Sequence, residues 1–413
     1  MKDNVLPVAI LTSDWHMMPN AWKWRPTLCG DAECSLRQIA DESRRTTIPI
    51  LAAGDLFNVK MPDVATLLST YRLLRNTPAG CCFTQGNHER TRVPWMQLVA
   101  PEWAHASTHP VTLEPELYTA CNLQYEENAA LTLPPIFDNP KKAWNIFGID
   151  YTDYLDSLQS QLDALEADLV EQDLEDTPDT VNVLMLHQTA SPLCAISQYE
   201  LTDRMIPDCF DLVIVGHWHK ASMFNLFSKS GRSIPCLSPG SLHMWSISEE
   251  PKKYRHVLFN DGSIRSTPLQ TRRMITMAIS GLTDTEIKGV GNAVLASINK
   301  PDTRPEAIRA PIVYAMRDNE TSPAAESILE QLFGDKAHLF MKPLVDNSSE
   351  HVDTAVMEDI DLHKYADGGF QYAKEVFYNH EKDAVVRHLV ESMLENDPSF
   401  DLYQTLKNKF LSS

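Results

Sequence analysis

Short aliphatic and β-branched runs recur along the first 270 residues, at 8–12, 48–53, 80–84, 145–149, 181–186 and 212–215. Each gives way to a cluster of charged, amide or imidazole residues. Such runs predict strands buried on both faces, with polar chemistry gathered where they end, as in an α/β sheet sandwich. Val64, Leu67, Leu68, Tyr71 and Leu74 recur at helical spacing and predict a helix over 62–75. A second stripe, Leu155, Leu158, Leu162, Leu165 and Leu169, lies in a segment (155–179) with nine acidic residues and neither Lys nor Arg. It reads as an amphipathic surface helix with a solvated acidic face; the other reading is a face that repels nucleic acid.

Near 265–275 the pattern changes. A strand, helix, strand, helix, strand order over 274–279, 285–297, 312–317, 323–333 and 338–342 predicts a small α+β domain at 271–350. Beyond a polar stretch, 351–413 reads as a helical tail, leaving 1–270 as the main domain.

The chain has 413 residues, 43% hydrophobic and 22% charged, enough apolar material for a sizeable core. Disordered, collagen-like and rod-like classes are excluded. No run approaches about 18 apolar residues, so no membrane span is expected, and the opening residues read as a strand rather than a signal peptide. A net charge of −20 argues against coating a polyanion with a broad basic face. It leaves a nuclease open, because bound cations can supply positive charge locally. Eight cysteines, all between Cys29 and Cys236, match neither a zinc ribbon nor a disulfide framework, so reduced thiols in the cytoplasm are expected.

Five short motifs sit where predicted strands end: Asp14-Trp15-His16, Gly54-Asp55-Leu56-Phe57, Gly86-Asn87-His88-Glu89, Leu186-His187-Gln188 and Gly216-His217-Trp218-His219. Each alone is common, and a lone histidine at a strand end is more often structural. Together they supply two Asp, one Asn and four His besides His88. Carboxylate, amide and imidazole donors without thiolate suit a divalent pair such as manganese or iron, and fit structural zinc poorly. A carboxylate such as that of Asp55 can bridge two ions, and a pair about 3.5–4 Å apart activates water against a phosphoester. Asp14 and His16, two apart at a strand end, are expected to point the same way. The glycines before Asp55, Asn87 and His217 are expected to let the chain turn sharply.

This ordered set, spanning 14–219, resembles the signature of calcineurin-like metallophosphoesterases. GDLF, LHQ, DLVIVGHWH, and Ser238-Pro239-Gly240-Ser241-Leu242 followed by Ser248-Glu249-Glu250 are similar to the SbcD-type nucleases, bacterial and phage counterparts of the double-strand-break repair nuclease. The resemblance implies a four-layer αββα sandwich with a small capping domain and a helical tail. It implies one metal ion on Asp14, His16, Asp55 and His219, and a second on Asp55, Asn87, His187 and His217. Manganese is the expected metal, with iron or magnesium as alternatives. His88 is then the non-ligand that stabilises the transition state or protonates the leaving oxygen. The resemblance further implies DNA as substrate, cut exonucleolytically at duplex ends and endonucleolytically on single strands. Homodimerisation through helices at 62–75 and 93–99, and an SMC-like coiled-coil ATPase (SbcC-type) on the tail, complete the expectation.

Two departures stand out: Met17-Met18-Pro19 follows the first motif where a small residue is usual, and Glu89 stands where Asp is commoner. Trp22, Lys23, Trp24 and Arg25 interleave aromatics with cations, which can stack on bases or hold a strand; the alternative is two partly buried tryptophans in a loop. Arg90 and Arg92 are candidates for positioning phosphates, and His243 for lining the site. Arg272 and Arg273 read as linker charges without a role. Two other functions compete: a phosphomonoesterase or cyclic-nucleotide phosphodiesterase on the same site, and an inactive scaffold subunit. The scaffold sits poorly with a motif set that lacks no donor.

Overall fold

The parallel strands β1 (Pro7–Thr12), β2 (Ile50–Ala53) and β3 (Cys82–Thr84) lie side by side, linked by α1 (Asp31–Thr46) and α2 (Val64–Leu74). This is seen in a computed structural model, which describes residues 5–18, 28–78, 80–91, 94–108, 110–115, 132–171, 179–193 and 200–342. Contacts divide the chain into two units, Met1–Pro343 and Leu344–Ser413, and every described residue belongs to the first. The expected tail at 351–413, Trp22, Lys23, Trp24, Arg25 and Arg92 lie outside the described residues.

After α3 (Trp95–Val99), β4 (Ala104–His105) extends the first sheet, β5 (Val111–Leu113) joins a second, and β6 (Thr132–Leu133) returns to the first. The second sheet is built on β7 (Ala143–Ile149), β8 (Thr180–His187) and β9 (Leu212–Gly216), all parallel, with α4 (Leu155–Glu171) between the first two. β10 (Ser222–Phe227) and β11 (Ser233–Ser238) complete it, and β12 (Tyr254–Phe259) and β13 (Ile264–Pro268) close the first sheet against β1. Among the described residues the orders are β4-β3-β2-β1-β12-β13-β6 and β10-β11-β9-β8-β7-β5.

The period-two alternation of strands explains the layering. Leu11, Leu51 and Ala53 of the first sheet share one core with Trp144, Ile146, Val181, Val183, Met185, Leu212 and Ile214 of the second. The intervening residues face outward. Ile10, Ile50 and Ala52 pack under α1 through Leu36, Ile39 and Ala40, and Leu184, Leu186, Val213 and Val215 pack under α4 through Leu158 and Leu162. The result is an α/β sandwich with helices on both outer faces. Because one face of β8 is inward at Val181, Val183 and Met185, His187 also faces inward, where the core ends. Its Nδ1–H donates to the Ala53 carbonyl at the end of β2 (2.8 Å).

Two helices differ from the sequence pattern in instructive ways. The acidic segment forms α4 as expected, with Leu158, Leu162 and Leu169 buried and Leu155 exposed. In α2, however, the buried face is Thr66, Thr70, Leu73 and Leu74. Val64 (70% exposed), Leu68 (47%) and Tyr71 (47%) face outward, so only Leu74 and, in part, Leu67 of the apolar stripe reach the core. Thr70 spends its hydroxyl on the Thr66 carbonyl (2.9 Å), which lets a threonine face be buried without a polar penalty.

The small module carries β14 (Met274–Ala278), α5 (Asp284–Ile298), β15 (Ile312–Met316), α6 (Ala325–Phe333) and β16 (His338–Met341), in the expected order. Its strands are all parallel, and a Thr283–Glu286 capping box starts α5. The residue read as a linker charge has a definite role: Arg272 is 3% exposed and clamps Asp31 at the start of α1. Its Nε and Nη2 donate to Asp31 Oδ1 and Oδ2 (3.0 and 2.8 Å), and further bonds reach the carbonyls of Cys29, Ala307 and Ala310. Sequence could not show this, because the partners lie far apart in the chain and their pairing has no periodicity.

Removing one member of a buried ion pair strands the other charge. Arg272→Met is therefore expected to destabilise the protein by about 3–5 kcal/mol in urea unfolding. The double variant Asp31→Leu, Arg272→Met should recover much of that; no recovery would show that the carbonyl bonds, not the ion pair, matter.

Candidate metal centre

Five strand ends meet at the rim of the inner core. Past Thr12 and Ala53 the two neighbouring chains stay paired, with Asp14 N–H donating to Gly54 O (3.0 Å) and His16 N–H to Asp55 O (2.9 Å). Asp14, His16, Asp55 and His217 all take left-handed backbone conformations (φ 50°, 43°, 51° and 78°). They are four of the seven non-glycine residues with positive φ among the described residues. Such strain survives where surroundings over-determine it, and it gathers at functional sites. Asp14 and His16 therefore do not share a direction through strand alternation, as expected above; β1 has already ended, and twisted backbone aims them.

The motif glycines also act differently. Gly54 is left-handed (φ 79°), the turn that was expected. At Gly86 and Gly216 the need is space: a Cβ would collide with Asp55 at the first, and with the Ala53 carbonyl and His187 at the second.

The side chains form overlapping clusters in which every donor atom lies within 4.8 Å of the others: Asp14, His16 and His219; His16, Asp55 and His88; Asp55, His187 and His217. His16 and Asp55 are each shared by two clusters, and Asp55 is the shared carboxylate. Its Oδ2 lies 3.2 Å from His187 Nε2, 3.7 Å from His16 Nε2 and 4.0 Å from His88 Nε2. Asn87 Oδ1 lies 3.2 Å from His187 Nε2 and 3.1 Å from His217 Nδ1. His219 Nε2 lies 3.6 Å from Asp14 Oδ1 and 3.0 Å from His16 Nε2. All seven residues expected as ligands are thus brought together, with His88 beside them.

Most rings are oriented from behind. Asn58 Oδ1 accepts from His16 Nδ1 (3.0 Å), and the Asn58 carbonyl accepts from His88 Nδ1 (3.0 Å). Glu249 Oε1 accepts from His219 Nδ1 (3.0 Å). With Nδ1 spent, Nε2 of His16, His187 and His219 is the atom left to face the pocket.

The electrostatics fit a cation. Asp14 is fully buried, and its Oδ2 has no hydrogen-bond partner. Burial raises its pKa above the usual carboxylate range. Burial pushes Asp55 the same way, but the neighbouring imidazoles, His187 first, outweigh it and hold Asp55 well below that range. Burial keeps His16 neutral and lowers His217 to about 4, so both offer lone pairs. For His187 and His219 burial is outweighed by carboxylates, Asp55 and Glu249 respectively, and their pKa rises. An unpaired buried carboxylate oxygen among imidazole nitrogens is costly without a positive partner, and divalent ions supply one.

Several contributors escaped the sequence reading. Glu89 is no mere substitute for Asp: its Oε2 accepts from Phe57 N–H (2.7 Å) and its Oε1 from Gly86 N–H (3.1 Å), joining two motif loops. Burial and the Asp55 charge lift its pKa to about 8. Glu249 is pinned by Lys253 Nζ (2.8 Å), and Lys253, 3% exposed, also donates to Ser241 Oγ (2.7 Å). Ser241 and Glu249, from two segments noted in the sequence without a role, thus form one network with Lys253 behind His219. His243 is buried with neither ring nitrogen bonded, and burial lowers its pKa to about 3. Arg90 is half-exposed and spends its guanidinium on the Tyr151 carbonyl (3.1 Å) and Asp153 (2.9 Å).

Two sheets with parallel central strands, and paired His/Asp clusters at their ends, define the class of metal-dependent phosphoester hydrolases. The family model described as calcineurin-like phosphoesterase matches residues 8–221, more than half of the 413-residue chain, and the chain belongs to that family. No curated protein matches it. Among the described residues no helix is long and apolar enough to cross a membrane.

The carboxylate behind His219 sets a test. Glu249→Gln is expected to weaken binding of a titrated divalent ion at the His219 side by roughly 10–100-fold in calorimetry, leaving a second site unchanged. Equal weakening of both would mean that the network supports the whole loop instead of one ligand.

Proposed function

We propose that the protein is a two-metal DNA nuclease of the SbcD type, hydrolysing phosphodiester bonds at duplex ends and within single strands. The observation that carries this reading is the single buried carboxylate of Asp55, shared by clusters on either side, with a partly exposed histidine next to it. On this reading Asp14, His16, Asp55 and His219 hold one ion, and Asp55, Asn87, His187 and His217 hold the other. When bound, the pair, manganese by preference over iron or magnesium, polarises the phosphoryl group and activates water. His88 donates its Nδ1–H to the Asn58 carbonyl, which turns Nε2 to the pocket; in the imidazolium form Nε2–H would give its proton to the leaving oxygen and leave the neutral ring, and its 21% exposure lets it meet substrate. The similarity of the Ser238–Leu242 segment to this nuclease branch, and the small module after residue 270, support DNA over a small phosphoester.

A homodimer is supported by the outward apolar residues of α2 and α3 (Val64, Leu68, Tyr71 and Leu98), with Met61 exposed just before α2. An SMC-like ATPase partner on 351–413, and a cytoplasmic setting, complete the proposal.

Purified protein with manganese is expected to degrade linear duplex DNA. His88→Ala should lower the rate at least 100-fold while metal binding and circular dichroism stay unchanged. Hydrolysis of small phosphomonoesters without DNA cleavage would favour the phosphomonoesterase reading instead. For assembly, Leu68→Glu should convert a dimer to a monomer in sedimentation equilibrium without altering metal binding; a parent protein that sediments as a monomer removes the dimer.

A further inference from the structure

Trp245 belongs to none of the five motifs, yet its ring reaches three of their histidines. The indole centroid lies 4.3 Å from His16, 5.2 Å from His88 and 5.6 Å from His219, edge-to-face with each. His88 and His219 have side chains 21% and 25% exposed, whereas His16 and His187 are sealed. The half-buried indole therefore flanks the side on which the centre opens to solvent.

Its polar handle is also unspent. The indole N–H groups of Trp15, Trp95 and Trp103 bond to Thr12, Lys60 and Thr77. That of Trp245 bonds to no described residue. Trp144 also has an unbonded N–H, but it is sealed in the core like Trp15 and Trp103, whereas Trp245 is partly exposed against three histidines of the centre. A partly exposed aromatic ring beside a candidate reacting group is suited to touch what enters.

We propose that Trp245 is a substrate-contacting residue that packs against the flat group of the alcohol esterified to the reacting phosphate, making nucleoside esters the preferred class. This rests on the phosphoester hydrolase reading above. If His88 protonates the leaving oxygen, the group carried by that oxygen lies next to both His88 and Trp245. Every base presents a π-face, so such a contact selects nucleosides over aliphatic alcohols without selecting sequence.

The test uses the full chain loaded with manganese. Binding of thymidine 3′-monophosphate, thymidine 5′-monophosphate and inorganic phosphate is measured by calorimetry for the parent, Trp245→Phe and Trp245→Leu. Leucine keeps apolar bulk against His16 but has no aromatic face. At least one nucleotide should bind the parent about 10-fold tighter than phosphate. Trp245→Leu should lose that margin with phosphate affinity unchanged, and Trp245→Phe should keep most of it. On DNA, Trp245→Leu should raise KM about 10-fold with little change in kcat. A margin that persists in Trp245→Leu, or equal losses for nucleotide and phosphate, overturns the proposal. The binding arm reads the contact even if no phosphoester is hydrolysed, so failure of the enzymatic reading is separately visible.

Discussion

A buried negative charge shared between two groups of imidazoles is the constraint on which the rest of the site depends. Asp55 is 1% exposed, and burying a carboxylate costs several kcal/mol unless positive charge and hydrogen bonds replace water. One oxygen faces His187, His16 and His88, and the other accepts the His88 backbone N–H (3.0 Å). The left-handed turn at Gly54, the missing Cβ of Gly86 and the Glu89 bridge bring backbone close to this one group, and the missing Cβ of Gly216 makes room for its neighbour His187. The strain at His16 and His217 makes sense in the same way, since relaxing either would withdraw a neighbour from the Asp55 clusters, and relaxing Asp14 would withdraw it from His16 and His219.

The two sides of that carboxylate are built differently. His187 leans on a backbone carbonyl and His16 on an amide, both neutral. His219 alone has a carboxylate behind it, Glu249, whose charge is balanced by Lys253. An imidazole backed by a carboxylate is a stronger donor than one backed by a carbonyl. The asymmetry is set by the chain itself, before any cation arrives.

Much of this was legible from the order of residues. The strands showed because runs such as Val181–Leu186 are apolar on both faces, and polar residues at the end of such a run are expensive unless used. The seven donors and His88 were readable for that reason. What stayed hidden lacks local pattern. Arg272 meets Asp31 across the whole main domain, and Lys253 looked like any surface lysine although it is sealed. In α2, hydrophobic periodicity identified the helix but not the face it buries, because threonines can be buried once their hydroxyls are satisfied. Trp245 gave no signal, since its importance comes from three histidines that reach it from distant motifs.

The charge of the chain bears on how a phosphodiester could approach it. At −20, long-range electrostatics repel a polyanion, and the described cations near the centre are committed: Arg90 to Asp153, Lys253 to Glu249. On the proposed reading, attraction must then be local and must come from what the donors hold. Asp14 and Asp55 are the only carboxylates among the seven expected ligands, so two divalent cations would turn a negative pocket positive. Screening confines that field to about 8–10 Å at physiological ionic strength, so it acts on the phosphate that enters and hardly on those further along the strand. An acidic protein of this design would select a strand end or an exposed phosphate by admission to the pocket and contact with its walls, not by adhesion along the backbone.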